Sequence, residues 1–330
     1  MPLLPAASYR AKWLQRFRHI QTIWPATYRK TPDNNWERER LELLDGDFLD
    51  LDWVHPTTPS RKLLIALHGL EGHARRPYIA HTFNLFSSRG WHGVGINYRG
   101  CSDEPNRLLR GYHSGETADI RTVIEHIRAM GAYDKIVIVG FSVGGNLALK
   151  LTGEYGQSAP KELLAVAAFS TPMNMGTTAQ NMSLGFARVY MRSFMNTLKE
   201  KAAEKAIRFP GTFDAERVAA TTTFEEYDDA FTAPIHGFAS AQDYWDKSSC
   251  GPFLEAITVP TLLVNASDDP LLDASAFPTE LAKQHQYLHL EIAKHGGHLG
   301  FMGSDEQGNY WMEHRLWQWV SECENEVTDK

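Results

Sequence analysis

Cysteine is scarce. Cys101, Cys250 and Cys323 are the only three in 330 residues, too few and too scattered for a disulfide framework or a thiolate zinc site. Long apolar runs are missing as well: the longest stretches, such as Leu163–Phe169, fall far short of the ~18–20 residues needed to span a bilayer. Positive charge is not in excess. Thirty-three Lys and Arg face 40 Asp and Glu, for a net charge of -7, so no global basic field is available to hold nucleic acid. Internal repeats and low-complexity segments are absent too. With 43% hydrophobic and 22% charged residues, the composition is that of a folded protein, not a disordered chain, a collagen or a coiled coil.

The first thirty residues depart from the acidic average. They hold Arg10, Lys12, Arg16, Arg18, Arg29 and Lys30 but no Asp or Glu. Lys12, Arg16 and Arg18 interrupt Trp13, Leu14, Phe17 and Ile20, so the segment lacks the continuous apolar stretch of a signal peptide. It reads first as an arm packed on the domain, and second as a weak membrane-surface contact, because basic and aromatic residues mix. Sparse cysteine and the missing signal pattern point to the cytoplasm.

Beyond the arm, the apolar pattern alternates between short and long periods. Residues 41–44 and 48–54 read as a hairpin around Asp45-Gly46-Asp47, since a DG pair between alternating apolar residues favours a tight turn. Strands are then expected at 62–67, 91–96, 135–141 and 163–169. Helices are expected at 78–88 and 117–130, and from 143 to about 155. The run KIVIVGF at 135–141 is apolar throughout, as a parallel strand buried on both faces should be. From 171 to 252 the pattern is helical, and alternation resumes with strands at 261–264 and 287–292 and helices at 276–283 and 311–323. The expected architecture is an α/β fold with a mainly parallel sheet flanked by helices, and a helical cap inserted after the sixth core strand. Residues 1–170 would form the arm and first part of the core, 171–252 the cap, and 253–330 the rest of the core.

Chemistry concentrates at the ends of these strands. Gly140-Phe141-Ser142-Val143-Gly144 lies between a buried strand and an Ala/Leu-rich helix. This is the setting of a nucleophile elbow, whose turn is too tight for side chains two residues either side of the serine. The bland alternative is a strand-to-helix turn with a capping serine. A serine hydroxyl needs a base. Among fourteen histidines, His298 in His295-Gly296-Gly297-His298-Leu299-Gly300 is favoured over His295, because glycines on both sides let the loop carry the ring back over the sheet. His295 would then be a loop residue or a partner behind the base. The imidazole needs a carboxylate. Asn265-Ala266-Ser267-Asp268-Asp269-Pro270 offers two, and Asp268 is favoured over Asp269 from its distance to the strand end. Backbone N–H groups of Val143 and of Leu70, in His68-Gly69-Leu70-Glu71-Gly72, are the expected oxyanion donors. Glu71 is read as a structural loop residue.

Taken together these motifs resemble a known group, the YheT-type α/β-hydrolases (AB hydrolase superfamily 4), related to the ABHD1/ABHD3-like lipid hydrolases. The resemblance runs from about His19 to Trp319. It rests on HIQT (19–22), HGLEG (68–72), NYRGCSDEPN (97–106), YHSGET (112–117), GFSVGGN (140–146), NASDDP (265–270), HGGHLGF (295–301) and the stretch FEEYDDAFT with IHGF (224–238). It implies an α/β-hydrolase fold, a carboxylic-ester hydrolase with Ser142, Asp268 and His298 as its triad, and no metal or organic cofactor. Asn97, Arg99 and Cys101 would shape a loop beside the pocket. Arg75 and Arg76 depart from the small residues usual at that place; a solvated loop is preferred there over an anion contact. The substrate would be a small-molecule or lipid ester. Apolar residues of the insert (Met182, Leu184, Phe186, Val189, Tyr190, Phe194 and Met195) leave a lipase or phospholipase reading open. Acyl transfer to an alcohol and a catalytically silent scaffold are the remaining alternatives.

Overall fold

A computed structural model describes residue 4 and residues 7–303 and 305–328; the first residues of the arm and the last two of the chain lie outside this range. Helix α1 (Arg18–Tyr28) precedes β1 (Glu37–Glu42), β2 (Phe48–Val54), β3 (Lys62–Leu67), α2 (Pro77–Ser87), β4 (His92–Asn97), α3 (Thr117–Ala129), β5 (Lys135–Phe141), α4 (Val143–Tyr155) and β6 (Leu163–Phe169). Six helices follow without a strand among them: α5 (Met175–Met182), α6 (Ala187–Arg208), α7 (Ala215–Ala220), α8 (Phe224–Tyr227), α9 (Ala233–His236) and α10 (Ala241–Ser248). The chain then completes β7 (Thr261–Ala266), α11 (Thr279–Gln284), β8 (Leu288–Ala293) and α12 (Trp311–Thr328).

The strands form one eight-stranded sheet in the order β1-β2-β4-β3-β5-β6-β7-β8. β2 is antiparallel to both β1 and β4, and every other pairing is parallel. Alternate residues of the strands feed two cores. Leu64 and Ala66 pack with α2 and α12 on one face, while Leu63, Ile65 and Leu67 pack with α3 and α4 on the other. The helices between β6 and β7 build a third core of their own from Met175, Met191, Met195, Phe224, Phe231 and Trp245. Among the described residues no helix is long and apolar enough to cross a membrane.

The hairpin forms, but its first strand is β1 at 37–42, not 41–44. The sequence Glu37-Arg38-Glu39-Arg40 hides this strand, because its polar side chains are satisfied across the pair. Arg38 meets Asp52 at 2.8 Å, Arg40 meets Asp50 at 2.8 Å, and Glu39 accepts the Trp53 indole N–H at 2.8 Å. An edge strand with charged side chains also resists unwanted pairing. The arm adds backbone hydrogen bonds to the opposite edge, from Leu4 N–H to Leu290 O and from Ala7 N–H to Ile292 O.

Candidate active site

Ser142 sits at the turn from β5 to α4 with φ +56° and ψ -121°. A non-glycine residue at positive φ stores roughly 1–3 kcal/mol of strain, and here the surroundings hold it in place. Its N–H donates to Phe169 O at 2.9 Å. A Cβ on Gly140 would overlap the Gly144 carbonyl, and one on Gly144 would overlap the Leu67 carbonyl. Both glycines of the pentapeptide are therefore steric necessities. The serine side chain makes no capping bond to α4, so the capping alternative does not describe it.

The hydroxyl faces His298 instead, with Oγ 2.9 Å from Nε2. On the far side of the ring, Nδ1 lies 2.9 Å from Oδ2 of Asp269, a fully buried carboxylate. This geometry suits the tautomer in which Nδ1 donates to the carboxylate and Nε2 accepts from the serine. The other Asp269 oxygen accepts the Leu271 N–H at 2.9 Å.

The expectation that Asp268 faces the base is thereby corrected. Asp268 approaches His295 Nδ1 at 3.2 Å and accepts the Gly297 N–H at 3.0 Å. The physical reason is the length of β7, which ends at Ala266 and not at 264. A turn closed by Asp269 N–H to Ala266 O then aims the second aspartate over the sheet. His295 and Asp268 together brace the loop behind the base, as one reading of His295 anticipates.

Sequence reasoning missed three residues that hold this loop. His298 N–H donates to Thr22 Oγ1 at 3.0 Å, Leu299 N–H to Ser170 Oγ at 3.0 Å, and Met302 N–H to Gln21 Oε1 at 2.8 Å. Gly297 has φ +54°, and a Cβ there would stand 2.6 Å from Arg18 O. The loop thus lies directly on α1. The HIQT motif was the available signal: Gln21 and Thr22 are part of it, and His19 reaches across to Tyr190 of α6 at 2.9 Å.

The loop after β3 approaches from the other side, where a Cβ on Gly69 would be 3.2 Å from Ser142 Cβ. Leu70 and Val143 line the same cavity as Ser142 and His298. Glu71, next in the chain, adopts φ +53°. Its N–H donates to the Tyr112 hydroxyl at 2.9 Å, the same hydroxyl donates to its Oε1 at 2.8 Å, and Lys201 of α6 lies 2.9 Å from its Oε2. Glu71 is therefore structural, and it ties the loop to the cap. Burial holds the pKa of His68 down at about 3, so this ring is neutral and serves as a fixed post, accepting the Tyr98 N–H at 3.3 Å.

A cavity of about 360 Å³ opens above Ser142. Its cap side includes Met182, Phe194, Leu198, Phe224 and Phe231. Of the apolar residues expected along a tunnel, Met182 and Phe194 line it, Met195 lies in the cap core, and Leu184, Phe186 and Val189 are exposed. Arg75 pairs with buried Asp52 at 2.6 Å, and Arg76 donates to Glu71 O at 3.2 Å. Asn97 accepts the Ala74 N–H at 2.9 Å, and Arg99 pairs with Asp119 at 2.7 Å. Cys101 is buried, which pushes its thiol up to about 12. Of these last three, Arg99 lines the cavity, while Asn97 and Cys101 are not among its lining residues.

The fold and site define an α/β-hydrolase. The family model for the alpha/beta hydrolase fold matches residues 62–305, and the chain belongs to that family. Within it, the chain belongs to the YheT/ABHD3-like group. It is 37% identical over 310 residues to "Putative esterase YheT" of Escherichia coli (strain K12), covering 92% of this chain and 90% of that one. It is 27% identical over 309 residues to human "Phospholipase ABHD3", covering 91% of this chain and 75% of that one. Among solved structures, the Pyrococcus furiosus esterase Pf2001 superposes with a TM-score of 0.56 at 14% identity, over 87% of this chain and 92% of that one; this likeness concerns the fold alone. The relatives support ester hydrolysis as the activity.

Proposed function

We propose that the chain is a serine carboxylic-ester hydrolase working through an acyl-enzyme. Ser142 Oγ attacks the acyl carbonyl while His298 Nε2 takes its proton, and Asp269 stabilises the imidazolium. The charge on the carbonyl oxygen is met by the N–H groups of Leu70 and Val143. His298 returns the proton to the departing alcohol. A water molecule, deprotonated by the same ring, then attacks the acyl-enzyme and releases the acid and Ser142. The observation that carries this reading is the unbroken hydrogen-bonded line from Ser142 through His298 to Asp269.

The test is Ser142→Ala. The wild type should hydrolyse p-nitrophenyl esters and label with a fluorophosphonate, and the variant should do neither. Full labelling of the variant, or a wild type that neither labels nor turns over, overturns the proposal; the second outcome leaves a binding protein on a hydrolase fold. The apolar cap side of the cavity, with Met182 and Phe194, favours long acyl chains as a second reading, in line with the phospholipase name of the human relative. A rate profile from C2 to C16 esters separates the two, since a short-chain esterase peaks at C2–C4.

A further inference from the structure

Helix α1 is amphipathic the wrong way round. A surface helix normally turns its apolar stripe to the core. Here the inward residues are Gln21 and Pro25, both buried, and Thr22, which holds His298. Phe17, Ile20, Trp24 and Tyr28, spaced as one helical stripe, point to solvent. Phe17 is 54% exposed, Trp24 50% and Tyr28 63%, and Trp13, just ahead of the helix, is 72% exposed. The exposed apolar face runs from this stripe across Ile20 and Ile23 to His19 on the other flank of the helix, whose ring lies against Phe186 of the cap at 4.3 Å, and Phe186 and Val189 are themselves exposed. Most of the exposed large apolar side chains among the described residues belong to this one surface. Single exposed apolar residues are ordinary, but a contiguous patch marks an interaction site.

The charges around the patch identify the partner. Arg10, Lys12, Arg16 and Arg18 on the arm, and Arg188 and Arg192 on α6, form no ion pair with a carboxylate among the described residues. Six unpaired cations on a chain of net charge -7 make a strongly one-signed rim. A second copy of the chain meeting the same patch by two-fold symmetry would set these cations against each other. Exposed Trp, Tyr and Phe on one helix face, with unpaired Arg and Lys on the same segments, fit a lipid–water interface with anionic headgroups. We propose that this surface docks the protein on an anionic bilayer, with α1 lying flat, its ~17 Å length parallel to the membrane. It lies on the membrane without crossing it, and the inner side of the same helix carries the His298 loop.

Vesicle flotation with the full chain tests this, using phosphatidylcholine vesicles with and without one-third phosphatidylglycerol. The wild type should float with the anionic vesicles at low salt, far less with neutral ones, and leave them at high salt. Trp24→Ala with Tyr28→Ala, and separately Arg188→Gln with Arg192→Gln, should each lower the partition coefficient roughly tenfold or more while keeping the wild-type melting transition. The proposal is overturned if the wild type stays in the buffer, if it binds both vesicle types alike, or if neither pair of substitutions matters. It is equally overturned if the aromatic pair instead converts a dimer to a monomer with no change in lipid binding. The readout is independent of catalysis, so a failed esterase assay leaves it standing.

Discussion

Asp269 Oδ2 lies 2.9 Å from His298 Nδ1, and the carboxylate is fully shielded from water. Its neighbour Asp268 is turned to His295 and the Gly297 N–H. Two adjacent aspartates thus have different work, one facing the base and the other supporting the loop that carries it. Asp269→Asn should lower kcat by about 10³–10⁴-fold, because an amide at this position stabilises the wrong tautomer and leaves the imidazolium unmatched. Asp268→Asn should cost less than about tenfold. Steady-state kinetics on a p-nitrophenyl ester compares them, and the reverse ranking would return the role to Asp268.

Thr22 Oγ1 receives the His298 N–H. Thr22→Val keeps the shape but removes the acceptor, and should lower stability by about 1 kcal/mol and kcat by roughly tenfold through a looser base. Thr22→Ser should restore both. Denaturant titration and kcat, measured together, separate positioning from a purely structural effect, which Val and Ser variants would report in stability alone.

Tyr112 both accepts from the Glu71 N–H and donates to its carboxylate. Tyr112→Phe leaves a buried N–H unpaired beside the proposed oxyanion donor, a loss of about 1–3 kcal/mol. The expected kinetic signature is a fall in kcat with KM little changed, because oxyanion contacts strengthen in the transition state. A change confined to KM would place the effect in substrate binding instead.

Gly144 packs on the Leu67 carbonyl. Gly144→Ala must push backbone against backbone, so it should destabilise by at least about 1–3 kcal/mol and reduce active-site labelling with it. A wild-type melting temperature in this variant would contradict the packing at the elbow.

Asp228 gives a pH prediction. Burial pushes its carboxyl up to about 7, against hydrogen bonds from Thr232 and the Trp245 indole N–H that lower it. The folded state therefore holds this proton where the unfolded chain has released it. Stability from this group is full below about pH 4 and declines as pH rises toward 7. Asp228→Asn keeps an acceptor for Trp245 and should flatten that decline, so its advantage over the wild type grows between pH 5 and 8. Urea unfolding across that range checks the sign, and a parallel decline in both proteins would refute it.

Much of this molecule was legible in its residues. The elbow could be read because tight sterics demand glycine at 140 and 144, and His298 because glycines flank it in a loop after the last strand. The aspartate was misplaced by one residue because strand ends are set by ladder hydrogen bonds: β7 carries Asn265 and Ala266 into the sheet, where it pairs with β8. Strand β1 was hidden because it is an edge strand with no buried residue, matched to β2 by arginines that meet aspartates across the hairpin, and hydrophobic periodicity does not register that. For the support that Thr22 and Gln21 give the His298 loop, the HIQT motif marked the residues but not their partner, for a different reason. That support spans 276 residues between Thr22 and His298, and no local pattern encodes such a meeting.

That separation has a consequence for synthesis. Ser142 and the strands around it emerge early, but the base arrives 156 residues later, and it must come to rest against a helix made near the beginning. A growing chain can fold much of its sheet while the hydroxyl at the elbow still lacks a proton acceptor. Long-range closure of this kind is slow compared with local helix formation. On the proposed mechanism, the site is complete only once the loop that carries His298 has come to rest on α1 and beside Ser142.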